Sequence, residues 1–341
     1  MSAINFAESL QSYAGFIASP VVENVQVNSA HSMPDGFLLT TSEGPVKCRT
    51  LVVASGGAAR PVVPPLADAI PTHVFQTDPA AYKRPSDLPE GGFLVVGASA
   101  SGAQIARELR LSGRRVTLAV GSHIRLPRRY RGRDIEWWLD AIGALDESLS
   151  EVNDLARARR TPSPQLIGGP DPVDLEALDR LGVEITGRLA DIRDGHALFS
   201  GGLTHVCQAA DLKLGRLLDR IDLWAAERSP GAALLPIDRP SFTSTPASPR
   251  LGLDLGTGEI KSIVWATGFR PAHDWLRDLP VFDRRGRIVH DGGVVAAAPG
   301  LYVLGLPFLR RRRSLQISGA GPDARDIARH LDAFLRQSAA A

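Results

Sequence analysis

The sequence predicts an α/β fold in which a Rossmann-type unit is set between two stretches of a second domain. Three observations carry this. Phe93-Leu94-Val95-Val96 is an apolar run closed by a glycine-punctuated turn, an amphipathic stretch and a second apolar run, Val116–Val120. Strand, tight turn, helix, strand is a βαβ unit. A second pattern occurs twice: a meander, a buried strand and a small-residue stop, ending once in Ala54-Ser55-Gly56 and once in Ala266-Thr267-Gly268. Finally, 341 residues, 44% of them hydrophobic, suffice for about two domains with adequate cores.

The elements follow in order. Phe6, Leu10, Tyr13 and Phe16 are spaced for a short helix ending near Pro20. Val22, Val25 and Val27 then alternate, Pro34-Asp35-Gly36 turns the chain into Phe37–Thr41, and Glu43-Gly44-Pro45 turns it again. This is a β-meander feeding a buried strand, Leu51–Ala54. Proline-rich sequence from Arg60 to Pro89 reads as a surface connection. In the βαβ unit Ala103, Ile105, Ala106 and Leu109 recur at helical spacing, and Gly113 stops that helix. A further helix is expected from Asp134; its adjacent Trp137 and Trp138 cannot share one face, so one packs on the arginine-rich loop, a cofactor channel or a domain interface. Residues 161–173 are loop, followed by a helix (Val173–Leu181), a strand (Val183–Thr186), a hairpin through Asp194-Gly195 and a helix (Ala209–Ala226). Prolines between Pro230 and Pro249 mark a return to the first domain, continued by the strands Ile260–Ala266 and Leu301–Leu304. The Arg310–Arg313 run is expected to be a solvated loop, and an amphipathic helix, Ala324–Leu335, completes the chain.

The βαβ unit is suited to hold a dinucleotide pyrophosphate on a helix N-terminus. Gly97 permits the tight turn and Gly102 the close approach of helix to strand, while Ser99 occupies the middle glycine position, giving G-x-S-x-x-G. The pyrophosphate contacts are expected from Gly97, Ala98, Ser99, Ala100, Ser101 and Gly102. The alternative is a βαβ unit that packs without a ligand. An NAD site ends its second strand on a carboxylate about 20 residues after the first glycine. Val120 to Arg125 contains no acid, and Arg128, Arg129, Arg131 and Arg133 follow. Guanidinium forks suit a 2′-phosphate, so NADP(H) is expected, with His123, Arg125, Arg128 and Arg129 as its candidates.

Val95-Val96-Gly97-Ala98-Ser99-Ala100-Ser101-Gly102, Trp265-Ala266-Thr267-Gly268-Phe269-Arg270-Pro271 and Gly321-Pro322-Asp323-Ala324 together resemble the flavin-containing monooxygenase-like group of bacterial flavoproteins. The resemblance covers nearly the whole sequence. It implies two Rossmann-like three-layer domains, an NADP domain (91–235) inserted into an FAD domain (1–90 and 236–341) to which the two strands before the small-residue stops belong. It also implies hydride transfer from NADPH to FAD. Ser55, Gly56, Thr267 and Gly268 would mark the crossings between domains, and Asp323 and Ala324 would open a helix near the flavin ribityl chain. The family begins with a G-x-G-x-x-G unit of its own for FAD, and none precedes the meander here. The chain is therefore expected to begin about one FAD-binding unit late. Its partial FAD domain would then expose the edges of Leu51–Ala54 and Ile263–Ala266, to be covered by a second copy or another protein. Asp78, before Tyr82, stands where related sequences often have a histidine.

Composition excludes several classes. With a net charge of +2 and only Lys47, Lys83, Lys213 and Lys261 as lysines, there is no case for nucleic acid. Cys48 and Cys207 lie far apart, and His31, His73, His196 and His205 lack metal-ligand spacing, so neither a redox disulfide nor a metal site is expected. No apolar run reaches membrane-spanning length and no signal pattern opens the chain, so a cytoplasmic location is expected. Two readings remain. One is an NADPH-dependent flavoprotein oxidoreductase acting on a small molecule, within a family that covers amines, sulfides and ketones. The other is an NADP(H)-binding chain without flavin or activity of its own.

Overall fold

The computed structural model describes residues 3–228 and 234–340, so residues 230–233 of the expected return crossing lie outside the described residues. The chain forms two compact units. The larger comprises Ala54–Ala272 and Leu304–Asp326, the smaller Met1–Val53, His273–Val303 and Ile327–Ala341.

The larger unit is built on a five-stranded parallel sheet. In spatial order its strands are Glu184–Gly187, Val116–Val120, Gly92–Val96, Ile260–Trp265 and Phe75–Thr77. Because strand residues alternate between faces, continuous apolar runs bury both. Phe93, Val95, Leu118, Ile185 and Val264 face the helices Ala100–Leu111 and Leu175–Arg180. Leu94, Val96, Ala119, Ile263 and Trp265 pack on a three-stranded antiparallel sheet of Leu189–Arg193, His196–Phe199 and Gly252–Asp254. This makes three layers. The first two strands of that sheet turn at Asp194 and Gly195, both with positive φ (50° and 73°), as a two-residue hairpin requires.

The strand assigned to the flanking domain, Ile260–Trp265, lies instead inside this sheet, paired on both sides. Its expected open edge does not exist. The cause is physical: a strand apolar on both faces belongs at a sheet centre. Its second neighbour, Phe75–Thr77, comes from the stretch read as plain connection; three residues are too few to show a period. Trp265 Nε1 donates to Gln76 Oε1 at 2.8 Å, fixing that neighbour.

A long helix, Leu203–Arg228, packs Leu214, Leu218, Ile221 and Ala225 against Tyr130, Ile135 and Trp138. The adjacent tryptophans divide as helix geometry demands. Trp138 is buried and donates to the Tyr130 carbonyl at 2.7 Å, whereas Trp137 is exposed with Arg133 5.3 Å above its ring. Cys207, on the same helix, is buried and its thiol is pushed up to about 11 by that burial. A thiol reagent at neutral pH is therefore expected to modify half-buried Cys48 in the native chain and to reach Cys207 only on denaturation. Equal rates at both cysteines would contradict this packing.

The smaller unit contains the meander Val27–Met33, Gly36–Thr41 and Gly44–Cys48, and a parallel pair of Leu51–Val53 with Leu301–Val303. The helix Ala3–Ile17 is exposed along its side chains from Asn5 on. The last helix runs from Ile317 to Ala340, seven residues earlier in its start than Ala324, with Pro322 inside it. Pro322 is the sixth residue, in the second turn, where it removes the N–H that would otherwise bond to the Ser318 carbonyl. No described helix is long and apolar enough to cross a membrane.

Candidate functional site

The site is built around the loop between Val96 and the Ala100–Leu111 helix. Gly97 has φ +107°, and a Cβ on it would lie 2.3 Å from the Ala266 carbonyl oxygen. A Cβ on Gly102 would lie 1.9 Å from the Gly97 carbonyl oxygen. Both glycines are thus demanded by backbone contacts. Ser99 precedes the helix with an extended backbone (φ −74°) and makes no side-chain cap bond, so its hydroxyl is not committed to the helix. The first intrahelical bond runs from Ala103 N to Ser99 O at 3.0 Å, which leaves the N–H groups of Ser101 and Gly102 in the first turn, where an anion binds.

Sequence reasoning missed the segment that braces this loop. Gln165, fully buried, donates from Nε2 to the Ala98 carbonyl at 2.6 Å, and Ala100 N–H donates to the Ser163 carbonyl at 3.2 Å. Gln165–Ile167 is a short strand parallel to Arg125–Pro127. Both strands are too short for periodicity to reveal.

At the C-terminal end of Val116–Val120 the arginine assignment changes. Arg125 is buried in the larger unit: Nη1 pairs with Asp211 and donates to Ser241 O at 3.0 Å and Thr243 Oγ1 at 2.8 Å. It serves the core rather than a 2′-phosphate. His123 is buried as well; Nδ1 lies 3.1 Å from the Gly121 carbonyl, so Nδ1 carries the proton, and burial first, with Arg125 and Lys213 adding to it, lowers its pKa. It is a neutral brace for the turn. Arg128 is exposed and sits 3.5 Å from Asp134, beside Gly169. Arg129 is exposed on the two-stranded ribbon with Arg133-Asp134. The residue beside Gly121 is Arg188, which the sequence reading passed over. Its Cγ and Cδ lie 3.8 and 3.9 Å from the position of a Cβ on Gly121.

Each crossing packs on its own neighbours. Thr267 Oγ1 donates to the Val62 carbonyl, Val62 N–H donates to the Gly268 carbonyl at 2.9 Å, and Arg60-Pro61 pairs with Phe269-Arg270. Gly56 (φ +71°) approaches Gly305, and Gly57 approaches Pro307. The order A-S-G and A-T-G thus marks small-residue backbone packing around Ser55, Gly56, Thr267 and Gly268.

Asp323 departs from expectation. It lies in the seventh position of its helix, beyond reach of the positive end of the dipole, and is 0% exposed with Arg311 Nε 3.4 Å away. Ala324 follows it on the same helix. The Arg310–Arg313 run is not a solvated loop either. Arg310 and Arg311 reach Asp326 at 3.5 and 3.7 Å, Arg312 pairs with Glu147, and Arg313 pairs with Asp140 and with Asp146 at 2.8 Å. The arginines tie 140–147 to the start of the last helix. Among the described residues no His, Cys, Asp and Glu cluster is fit to hold a metal ion.

Residues 1–141 match the family described as Pyridine nucleotide-disulphide oxidoreductase. A curated relative, an uncharacterized CzcO-like oxidoreductase of Geobacillus kaustophilus, is 30% identical over 329 residues, which span 95% of this chain and 77% of the relative. A CzcO oxidoreductase of Bacillus velezensis is 26% identical over 96% of this chain and 77% of its own length. Among solved structures, a flavin-containing monooxygenase from Stenotrophomonas maltophilia superposes with a TM-score of 0.61 at 16% identity, over 96% of this chain and 76% of that one. The bacillithiol disulfide reductase Bdr from Bacillus cereus gives 0.51 at 14% identity, over 98% and 76%. These two likenesses concern the fold, a Rossmann-type flavoprotein with two dinucleotide-binding domains. The relationship to the first relative reaches further: the chain belongs to the CzcO-like oxidoreductases and is an enzyme of the oxidoreductase type.

Proposed function

We infer that the chain binds NADPH on the Gly97–Gly102 loop and acts as a flavoprotein oxidoreductase of the monooxygenase-like type. The observation that carries the nucleotide half is the loop itself. Two glycines are required by contacts of 2.3 and 1.9 Å, and they open onto unspent N–H groups at a helix N-terminus. In this reading Ser99, Ser101 and Gly102 bind the pyrophosphate, Ala98 and Ala100 shape the loop, and Gln165 holds it in place. Bound nicotinamide supplies a hydride, and bound flavin supplies its acceptor and dioxygen chemistry. The fold and the family support the flavin. The insertion of one dinucleotide-binding domain, expected at 91–235, into a second one (1–90 and 236–341) is part of this proposal, with Phe75–Thr77 and Ile260–Trp265 now belonging to the sheet of the inserted domain.

The expected flavin end comprises Asp323 and Ala324, on the last helix. Asp323 is 0% exposed with Arg311 Nε 3.4 Å away, and neither of its carboxylate oxygens has a hydrogen-bond partner. The second reading is an NADP(H)-binding chain that holds no flavin of its own. The visible spectrum of the purified chain, after incubation with FAD and desalting, separates the two. Retained flavin absorbance that NADPH bleaches faster than NADH is expected under the first reading. A colourless chain that still binds NADPH leaves the second. Failure to bind NADPH removes both.

A further inference from the structure

Resting on the nucleotide half of that reading, we propose that Arg188 is the residue that recognises the 2′-phosphate and so sets the preference for NADPH over NADH. Four observations converge on it. The parallel pairing runs Thr186 with Ala119 and Gly187 with Val120, so the next residues, Arg188 and Gly121, leave the sheet side by side. Gly121 stands at the end of the strand where an NAD site places its carboxylate. With no side chain of its own, it gives that space to the Arg188 stem, whose Cγ and Cδ pass at 3.8 and 3.9 Å.

The backbone under Arg188 is fixed. A Cβ on Gly187 would lie 1.8 Å from the Ser200 carbonyl oxygen, and Ser200 N–H donates to the Arg188 carbonyl at 2.9 Å. The base of the side chain is therefore held by the hairpin that follows. Its guanidinium is exposed and has no carboxylate partner among the described residues. This sets Arg188 apart from Arg125, Arg128 and Arg131. Arg125 is committed to Asp211, Arg131 to Asp222 at 3.1 Å, and Arg128 faces Asp134 at 3.5 Å. Ser122, exposed and next to Gly121 in the chain, carries a hydroxyl donor suited to the same phosphate. A guanidinium at the mouth of the site, without a competing acid at Gly121, selects a nucleotide whose ribose carries a 2′-phosphate dianion.

The test is direct binding of NADPH and NADH, and of 2′,5′-ADP and ADP, to the full chain by calorimetry or protein fluorescence. Arg188→Ala is expected to weaken NADPH and 2′,5′-ADP by roughly 10- to 100-fold, the loss of charge-assisted bonds. NADH and ADP should change by less than about twofold on the same scale. Arg188→Lys is expected to recover part of the loss and the salt dependence that the alanine variant lacks. Because the side chain is exposed, an unchanged melting temperature controls for folding. Equal loss for all four ligands, no loss for any, or the same discrimination produced instead by Arg128→Ala or Arg129→Ala would overturn the assignment. If the unmodified chain binds none of the four, the nucleotide reading itself fails. If it binds them and Arg188→Ala keeps the preference, only this inference fails.

Discussion

Replacing Asp211 with alanine is expected to destabilise the larger unit by about 3–5 kcal/mol, the cost of stranding one member of a buried ion pair. The side chains of Arg125 and Asp211 are 3% and 5% exposed. Asp211 also accepts from Thr243 N at 2.8 Å and Thr243 Oγ1 at 2.9 Å, so it fastens the 241–243 segment to the Leu203–Arg228 helix. Without its carboxylate the Arg125 guanidinium keeps only the Ser241 carbonyl and the Thr243 hydroxyl, and a full positive charge stays out of water. Against a typical total of about 5–15 kcal/mol this is a large share, and the melting temperature should fall by roughly 10 °C. Tryptophan fluorescence suits the measurement, since Trp137, Trp138 and Trp224 meet in the cluster that this helix covers. Removing both charges, Arg125→Met with Asp211→Leu, should recover most of the loss, because the pair largely offsets its own desolvation. A melting curve for Asp211→Ala that coincides with that of the parent would refute the burial argument.

That ion pair also shows what a sequence conceals. Arg125 and Arg188 are the same residue type, and one lies nearer the glycine loop in the chain. Only the fold shows that Asp211 meets the first, whereas parallel pairing carries the second to Gly121. The βαβ unit was legible because its strands are five-residue runs, apolar but for Thr117, and its helix shows a clear stripe. Phe75–Thr77, Arg125–Pro127 and Gln165–Ile167, three residues each, carry no period at all. The Arg310–Arg313 run was misread for a related reason. Charge runs are ordinarily solvated, and the acids that pair these, Asp140, Asp146 and Glu147, come from a distant stretch.

Gly102→Ala is expected to weaken NADPH binding by tenfold or more, about the loss of one charge-assisted N–H bond, while stability changes far less. The added methyl would sit 1.9 Å from the Gly97 carbonyl oxygen and 3.0 Å from the Ala266 Cβ. The first contact is with backbone, so no rotamer change relieves it; the helix start or the loop must move. Alanine gains roughly 1 kcal/mol over glycine within a helix, and overpacking costs about 1–3 kcal/mol, so the two partly cancel in stability. They do not cancel in binding. Moving the helix start redirects the Ser101 and Gly102 N–H groups that the phosphates need, and nothing in an empty site opposes the shift. Ser99→Gly is the matched control. It restores the full glycine fingerprint at a position whose φ of −74° any residue adopts, and, since it keeps the Ser99 N–H and removes only the hydroxyl, should weaken binding by no more than about fivefold. Calorimetric titration of both variants decides the matter. Full affinity in Gly102→Ala would show that these N–H groups hold no phosphate, since a loop forced to move by more than a bond radius cannot keep their aim.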